Sequence, residues 1–254
     1  MKKQSIIELT NISKTFKIRE HKLNTIRDFA TNFLSKKNSS TKTIHALKNI
    51  NITIREGESL GIIGRNGSGK STLLNIMMES IAPDKGGKIE TQGRMIRLSL
   101  GLGVDPNLSA RDNIYVNGSL IGLTFDKIGN IFNDILVFAD LQEFVDTPVK
   151  FYSKGMKQRL LFSIAIHAEA DVILLDEFFG GTGDKQFRKK SDQAFKMKIL
   201  EGKTIVIVSH SMNIINKYCT RTIWIDKGHI VAEGKTVDIV KLYSSEFKSL
   251  KNVR

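Results

Sequence analysis

The sequence contains a single cysteine and no long hydrophobic run. Cys219 is the only cysteine among 254 residues, which excludes an internal disulfide framework and agrees with a reducing compartment. We interpret it as a small buried apolar residue. No stretch approaches the roughly 20 consecutive apolar residues that a membrane-spanning helix needs. The first residues, Met1–Gln4, lead into a short strand-like run and not into the apolar core of a signal peptide. We therefore expect the chain to stay in the cytosol.

Acidic residues are scarce relative to basic ones. The chain has 26 Asp and Glu against 39 Lys and Arg, a formal net charge of +13. This excess permits nucleic acid, an anionic membrane surface or an anionic substrate as a neighbour, although a lysine-rich surface is commonly just solvated. The length and the 41% hydrophobic content fit one large domain or a domain with an inserted subdomain.

One glycine-rich stretch follows the apolar run Leu60–Ile63 in the order strand, tight turn and helix start. Its glycines let successive backbone N–H groups point at a polyphosphate, Lys70 can reach the outer phosphates, and the Ser71 hydroxyl can ligate Mg²⁺. The pattern predicts a nucleotide site. The residues expected to bind the nucleotide are Gly64, Arg65, Asn66, Gly67, Ser68, Gly69, Lys70, Ser71 and Thr72.

Two further apolar runs end in polar side chains. The run Val172–Leu175 ends in Asp176 and Glu177, as a buried parallel strand would end beside the glycine-rich loop. Asp176 is placed to hold Mg²⁺ and Glu177 to orient or deprotonate an attacking water. The run Thr204–Val208 shortly precedes His210. Because open α/β sheets bind ligands at the carboxyl ends of their strands, we expect these side chains and Lys70 to meet at one edge, with His210 contacting the γ-phosphate.

The remaining patterns outline the organisation of the chain. Strands are predicted over Ser5–Leu9 and Ile50–Ile54, and residues 19–43 between them have helical spacing followed by a polar tract. This insertion packs on its own domain or faces a partner or membrane. Residues 105–155 are predicted to be a helical subdomain, with Ser109 and Asp112 as a helix cap, and residues 238–254 a helical tail.

The segment from Phe151 to Arg159, which contains Tyr152-Ser153-Lys154-Gly155-Met156, resembles the signature motif of ABC ATPases. With the glycine-rich loop, the Asp176 strand and His210, the resemblance covers nearly the whole chain. It implies a single nucleotide-binding domain over residues 1–254. The implied fold class is α/β, a P-loop NTPase core of ABC ATPase type with an antiparallel β subdomain and an inserted α-helical subdomain.

The resemblance also implies roles that involve a second subunit. Ser153 and Gly155 would meet the γ-phosphate held by the partner, and Asp184 matches a dimer-contact aspartate. A head-to-tail homodimer with two sandwiched ATP molecules and Mg²⁺ is therefore implied. Adenine stacking falls on an aromatic residue late in the first strand, for which Phe16 fits and His45 is the competitor.

The segments Leu108–Tyr115 and Val145–Lys150, with the signature segment, are similar to the ATP-binding subunits that export O-antigen, capsular polysaccharide and teichoic acid. That likeness implies a peripheral subunit at the cytoplasmic face of the bacterial inner membrane. Two copies of an integral membrane permease would dock on the helical subdomain of residues 105–155 (the helical block), and a lipid-linked glycan would be moved. No carbohydrate-binding domain and no nucleic acid are expected. The alternatives are a soluble ABC ATPase acting on nucleic acid or ribosomes, and the ATPase of an importer.

The chain departs from the ABC pattern in three places. Ser99 stands where the family generally has a glutamine that contacts Mg²⁺ and senses the membrane partner. Lys154 replaces the first glycine of the signature, and Phe178–Asp184 replaces the usual small-residue segment after Glu177. The first departure removes the side chain that the family generally uses for the coupling contact.

Overall fold

The computed structural model describes residues 4–19, 41–99, 103–178 and 185–251, and within them the strands form two sheets. The first has the order β2-β1-β4 and the second β5-β6-β7-β3-β8-β9. The strands are β1 (Ser5–Arg19), β2 (Thr41–Arg55), β3 (Ser59–Ile63), β4 (Lys88–Thr91), β5 (Met95–Leu98), β6 (Val172–Asp176), β7 (Thr204–Val208), β8 (Arg221–Asp226) and β9 (His229–Lys235).

The six-stranded sheet is parallel from β5 to β8, and β9 closes it as an antiparallel hairpin with β8. All five residues of β7 are buried, as are the four apolar residues of β6, because both faces of a parallel sheet are covered. In register, Ile62 of β3 lies beside Val208 of β7, and Asp176 of β6 lies on the other side of Val208. The carboxyl ends of β3, β6 and β7 therefore meet at one edge.

The antiparallel sheet is longer than the sequence pattern predicts. Strands β1 and β2 have 15 residues each and pair through several register shifts, with Asn11 and Asn49 in the left-handed region at φ 55° and 48°. Bulges interrupt the alternation of apolar and polar residues, so the prediction of Ser5–Leu9 and Ile50–Ile54 was too short. The strands also include Arg19 and residues 41–43 of the expected insertion; the helix predicted there otherwise lies outside the described residues.

Helices cover the parallel sheet. They are α1 (Lys70–Met77), α2 (Ala110–Leu120), α3 (Phe125–Ala139), α4 (Lys154–Ala165), α5 (Lys185–Phe195), α6 (Met212–Tyr218) and α7 (Thr236–Lys251). Helix α2 begins with the predicted cap, since Ser109 Oγ accepts from the backbone N–H of Asp112 and the Asp112 carboxylate accepts from that of Ser109. None of the helices in the described ranges combines the length and apolar character needed to cross a bilayer.

The core divides between the two sides of the parallel sheet. Leu60 and Ile62 pack with α1 and the antiparallel sheet, while Ile63 packs with the helical block and the α5 and α6 side. Cys219 is buried and free, and burial raises the pKa of its thiol to about 12. The prediction of a small buried apolar residue at this position is confirmed.

Candidate nucleotide-binding site

The glycine-rich loop joins β3 to α1, and backbone geometry requires glycine at its ends. A Cβ at Gly64 (φ 152°) would lie 2.1 Å from the Ile225 carbonyl oxygen, and one at Gly69 (φ 111°) 2.5 Å from that of Ala46. Gly67 (φ 76°) has nothing within 4 Å of its Cβ position, so it opens onto free space. The loop is therefore packed against the protein at both ends and accessible in the middle.

Helix α1 starts without a side-chain cap. Gly69 occupies the N-cap position, where it offers no side chain to the first N–H groups, and the first turn contains no acidic residue. Uncapped N–H groups at the positive end of a helix are suited to bind an anion. Nearby, Ser68 Oγ is buried without a hydrogen-bond partner. The loop thus offers polar groups that the described residues do not satisfy.

Lys70 lies across the inside of the loop. Its ammonium donates to the Gly64 and Arg65 carbonyl oxygens at 2.8 and 2.9 Å, and the residue is buried. Burial lowers the pKa of Lys70, and the negative charges of Glu177 and Asp176 partly oppose that shift. The cation therefore faces the two acids across the site.

Glu177 and His210 lie next to each other beside the end of β6. Glu177 follows Asp176 with φ 50°, and its backbone N–H donates to the Val208 carbonyl at 3.0 Å. Its Oε1 accepts from the His210 backbone N–H at 3.0 Å and lies 3.6 Å from His210 Nε2. A non-glycine residue in this region costs about 1–3 kcal/mol and persists where its surroundings hold it. Here the turn aims the carboxylate at the histidine.

These groups surround one cavity of about 170 Å³. Its lining combines loop residues with both acids and the histidine, so the expected meeting of three strand ends at one edge is observed. The individual roles remain predictions. The lining residues are Asn66, Gly67, Gly69, Lys70, Ser71, Asp176, Glu177, Val208 and His210.

The donor set fits a magnesium ion bound together with a polyphosphate. Ser71 and Asp176 line the same cavity and offer the oxygen ligands that Mg²⁺ prefers. Within the described ranges, no group of three or more His, Cys, Asp or Glu could hold a metal by itself. Mg²⁺ commonly takes one or two protein ligands and completes its shell with phosphate and water.

The other predicted contacts lie elsewhere. Ser153 caps α4, with its Oγ accepting from the Met156 N–H at 3.2 Å, and neither it nor Gly155 lines the cavity of its own chain. Phe16 lies on β1 with the Lys14 ammonium 5.6 Å from its ring centroid, and His45 Nδ1 lies 3.2 Å from Thr15 Oγ1.

Two predicted positions remain, Thr72 and Asp184. Thr72 belongs to the first turn of α1 and does not line the cavity. Asp184 lies outside the described residues. Their assigned contacts therefore stay predictions.

Sequence reasoning missed one contact of the site. Arg97 on β5 forms an ion pair with the Asp176 carboxylate and donates to Asn75 Oδ1 on α1 at 2.6 Å. The sequence signal was a single arginine inside the short strand Met95–Leu98. The pattern of apolar residues alone gave that arginine no special role. Its partners come from two other elements, so no local pattern could identify them.

Comparison with known proteins agrees with this geometry. The family model described as ABC transporter matches residues 47–180, just over half of the chain. The chain is 37% identical to an O-antigen export ATP-binding protein of Myxococcus xanthus over 93% of this chain and 55% of that protein. It is 39% identical to a teichoic acids export ATP-binding protein of Lactococcus lactis over 84% of this chain and 46% of that one. The chain thus spans about half the length of these curated relatives.

Solved structures show the same fold. A dimeric ATP-binding cassette in a post-hydrolysis state with ADP and phosphate matches with a TM-score of 0.69 and 24% identity, covering 91% of this chain and 98% of that one. The expected fold class, an ABC-type P-loop core with an antiparallel sheet, is confirmed. From the family match, the identity to curated relatives and this fold, we conclude that the chain belongs to the ABC transporter family and is an ATP-binding cassette.

Proposed function

We propose that the chain hydrolyses ATP as the nucleotide-binding subunit of an exporter that moves a lipid-linked cell-surface polysaccharide across the bacterial cytoplasmic membrane. The observation that carries the ATPase part is the single cavity shared by Lys70, Ser71, Asp176, Glu177 and His210. The export part is supported by relatives named for O-antigen and teichoic acid export.

Hydrolysis follows from the placement of these groups. Loop N–H groups and Lys70 bind the phosphates. Ser71 and Asp176 would hold Mg²⁺, which would supply positive charge to stabilise the developing negative charge on the phosphates. Glu177 orients the attacking water, while His210 donates a hydrogen bond to the γ-phosphate. Because Glu177 Oε1 already accepts from the His210 backbone, the water-orienting and phosphate-contacting groups are held as one unit.

The site is completed by a second copy of the chain. Ser153 and Gly155 lie at the start of α4, whose positive end suits a phosphate, yet they lie outside the cavity of their own chain. In a head-to-tail homodimer Ser153 and Gly155 contact the partner's nucleotide, and Asp184 contributes to the dimer contact. Two permease subunits dock on the helical block, so the cassette works peripherally at the cytoplasmic face of the membrane.

The deciding experiment expresses Glu177→Gln in the native cell and measures lipid-linked glycan on the cytosolic side of the inner membrane. A trapped dimer should block export, so this pool should accumulate and its sugars would identify the polymer. A normal pool and normal surface polymer, with failed nutrient uptake, would leave the ATPase assignment and remove export in favour of an importer.

The excess of positive charge favours a second candidate, a soluble ATPase acting on nucleic acid or ribosomes. This function predicts that RNA co-purifies with the protein in high salt and that the location of the protein in the cell does not depend on a membrane subunit. Recovery in the membrane fraction only when an integral partner is co-expressed would exclude it.

A further inference from the structure

Arg97 links three elements behind the nucleotide cavity. The Nη2 atom of Arg97 donates to Asp176 Oδ2 at the end of β6, and its Nη1 atom donates to Asn75 Oδ1 on α1 at 2.6 Å. The side chains of Arg97 and Asp176 are only 24% and 15% exposed to solvent. The pair is therefore far less screened by water than a surface ion pair.

The same arginine borders a second cavity. About 140 Å³ lies between β5 and the helical block, lined by Arg97, Ser99, Asn117 and Phe178 among others. Ser99 also lines this cavity. Arg97, two residues earlier, is the side chain that touches both this cavity and the carboxylate of Asp176.

We propose that Arg97 is a positioning residue that sets the magnesium requirement of nucleotide binding. Its guanidinium holds Asp176 Oδ2 and ties it to α1 through Asn75, so the carboxylate is oriented before the metal enters. The cation also offsets negative charge at the metal position. Mg²⁺ must therefore share Asp176 with an existing positive charge, and the gain in nucleotide affinity that it brings is smaller than in a site without Arg97.

The test rests on the proposed use of Mg-ATP and measures binding without turnover. The affinity of a non-hydrolysable ATP analogue is determined by calorimetry in EDTA and across a series of free Mg²⁺ concentrations. The readout is the ratio of affinity in saturating Mg²⁺ to affinity in EDTA. Arg97→Met should raise this ratio about tenfold, because the metal no longer shares the Asp176 carboxylate with a nearby, partly buried cation.

Matched variants separate charge from structure. Arg97→Lys keeps the cation and should leave the ratio within about twofold of the wild type. Arg97→Gln also removes the cation and should raise the ratio as Arg97→Met does, so it replaces Arg97→Met if that variant folds poorly. Arg111→Met breaks another arginine–aspartate pair, with Asp146 at 2.8 Å, on the outer surface of α2 and should leave the ratio unchanged.

The outcomes are distinct. An unchanged ratio in Arg97→Met and Arg97→Gln, even with a lower melting temperature, would overturn the proposal and leave Arg97 as a structural tie only. An equal rise in Arg97→Lys would also overturn it, because charge would not be the cause. If the wild-type chain does not bind the analogue at all, the proposed function itself fails, and the inference with it.

Discussion

Charged side chains have different surroundings at the nucleotide edge of the parallel sheet and on the surface of the helical block. At the edge, Asp176 is 15% exposed and paired with Arg97. On the helical block, Asp146 is 71% exposed and paired with Arg111. Water and salt screen the second pair, while fixed protein groups surround the first. Equivalent substitutions should therefore change function at the edge and do little on the surface.

The largest contrast is expected between two glutamates. Glu177→Gln keeps the shape of the side chain but removes the carboxylate that orients water, so turnover should fall about 100- to 10,000-fold while ATP still binds. Glu169→Gln removes an exposed carboxylate that pairs with Lys127 and should leave turnover unchanged. Phosphate release and nucleotide binding measure both. Wild-type turnover in Glu177→Gln would remove the role assigned to that residue.

Two glycines have similar left-handed backbone conformations, so replacing either one with alanine should destabilise the backbone to a similar extent. Gly67 and Gly202 have φ of 76° and 71°, and neither has an atom within 4 Å of its Cβ position. Alanine at either should lower the free energy of unfolding by about 1–2 kcal/mol through the left-handed conformation alone. Only Gly67 lines the nucleotide cavity, so only Gly67→Ala should weaken ATP binding. Chemical denaturation and ATP titration of both variants check this; equal ATP affinities would place the nucleotide away from the loop.

A smaller effect is expected for adenine stacking. Phe16→Ala should weaken nucleotide binding by about fivefold, which corresponds to roughly 1 kcal/mol for one aromatic contact. His45→Ala should not, since that ring has Thr15 as a neighbour at 3.2 Å. Fluorescence titration of ATP against both variants measures the difference. Equal affinities of Phe16→Ala and the wild type would remove the stacking assignment.

The smallest effect belongs to the surface pair. The hydrogen bond from Arg111 lowers the pKa of Asp146, so the stabilisation by the pair is present above the ordinary Asp pKa near 4 and is lost as pH falls through the lowered value. Arg111→Met should therefore be slightly less stable than wild type at pH 7, with the difference shrinking in acid. Thermal melts of both proteins at pH 7 and at an acidic pH below the lowered pKa of Asp146 measure this difference in stability. A large loss of stability at neutral pH would show that the Arg111–Asp146 pair is not weakened by solvent screening and resembles the Arg97–Asp176 pair at the nucleotide edge.

Local sequence patterns anticipated much of the central sheet. The strands beginning at Val172 and Thr204 appear as predicted because each contains four consecutive apolar residues, a pattern typical of a strand buried in a sheet covered on both faces. The cap at Ser109 was also predictable, since both of its hydrogen bonds are made with Asp112, three residues later. The long β1–β2 hairpin was not, because its bulges break the period on which such a prediction depends.

The sequence by itself determined the residues that identify the nucleotide site. The spacing of the loop from Gly64 to Ser71 and the position of Asp176 and Glu177 at the end of an apolar run depend only on neighbouring residues. Tertiary structure decided which strand ends meet and that Glu177 accepts from the His210 backbone. It also decided that Arg97 reaches Asp176. The physical reason is that these contacts join residues 33 and 79 positions apart, and strand order in a parallel sheet follows from long-range packing, not from local propensity.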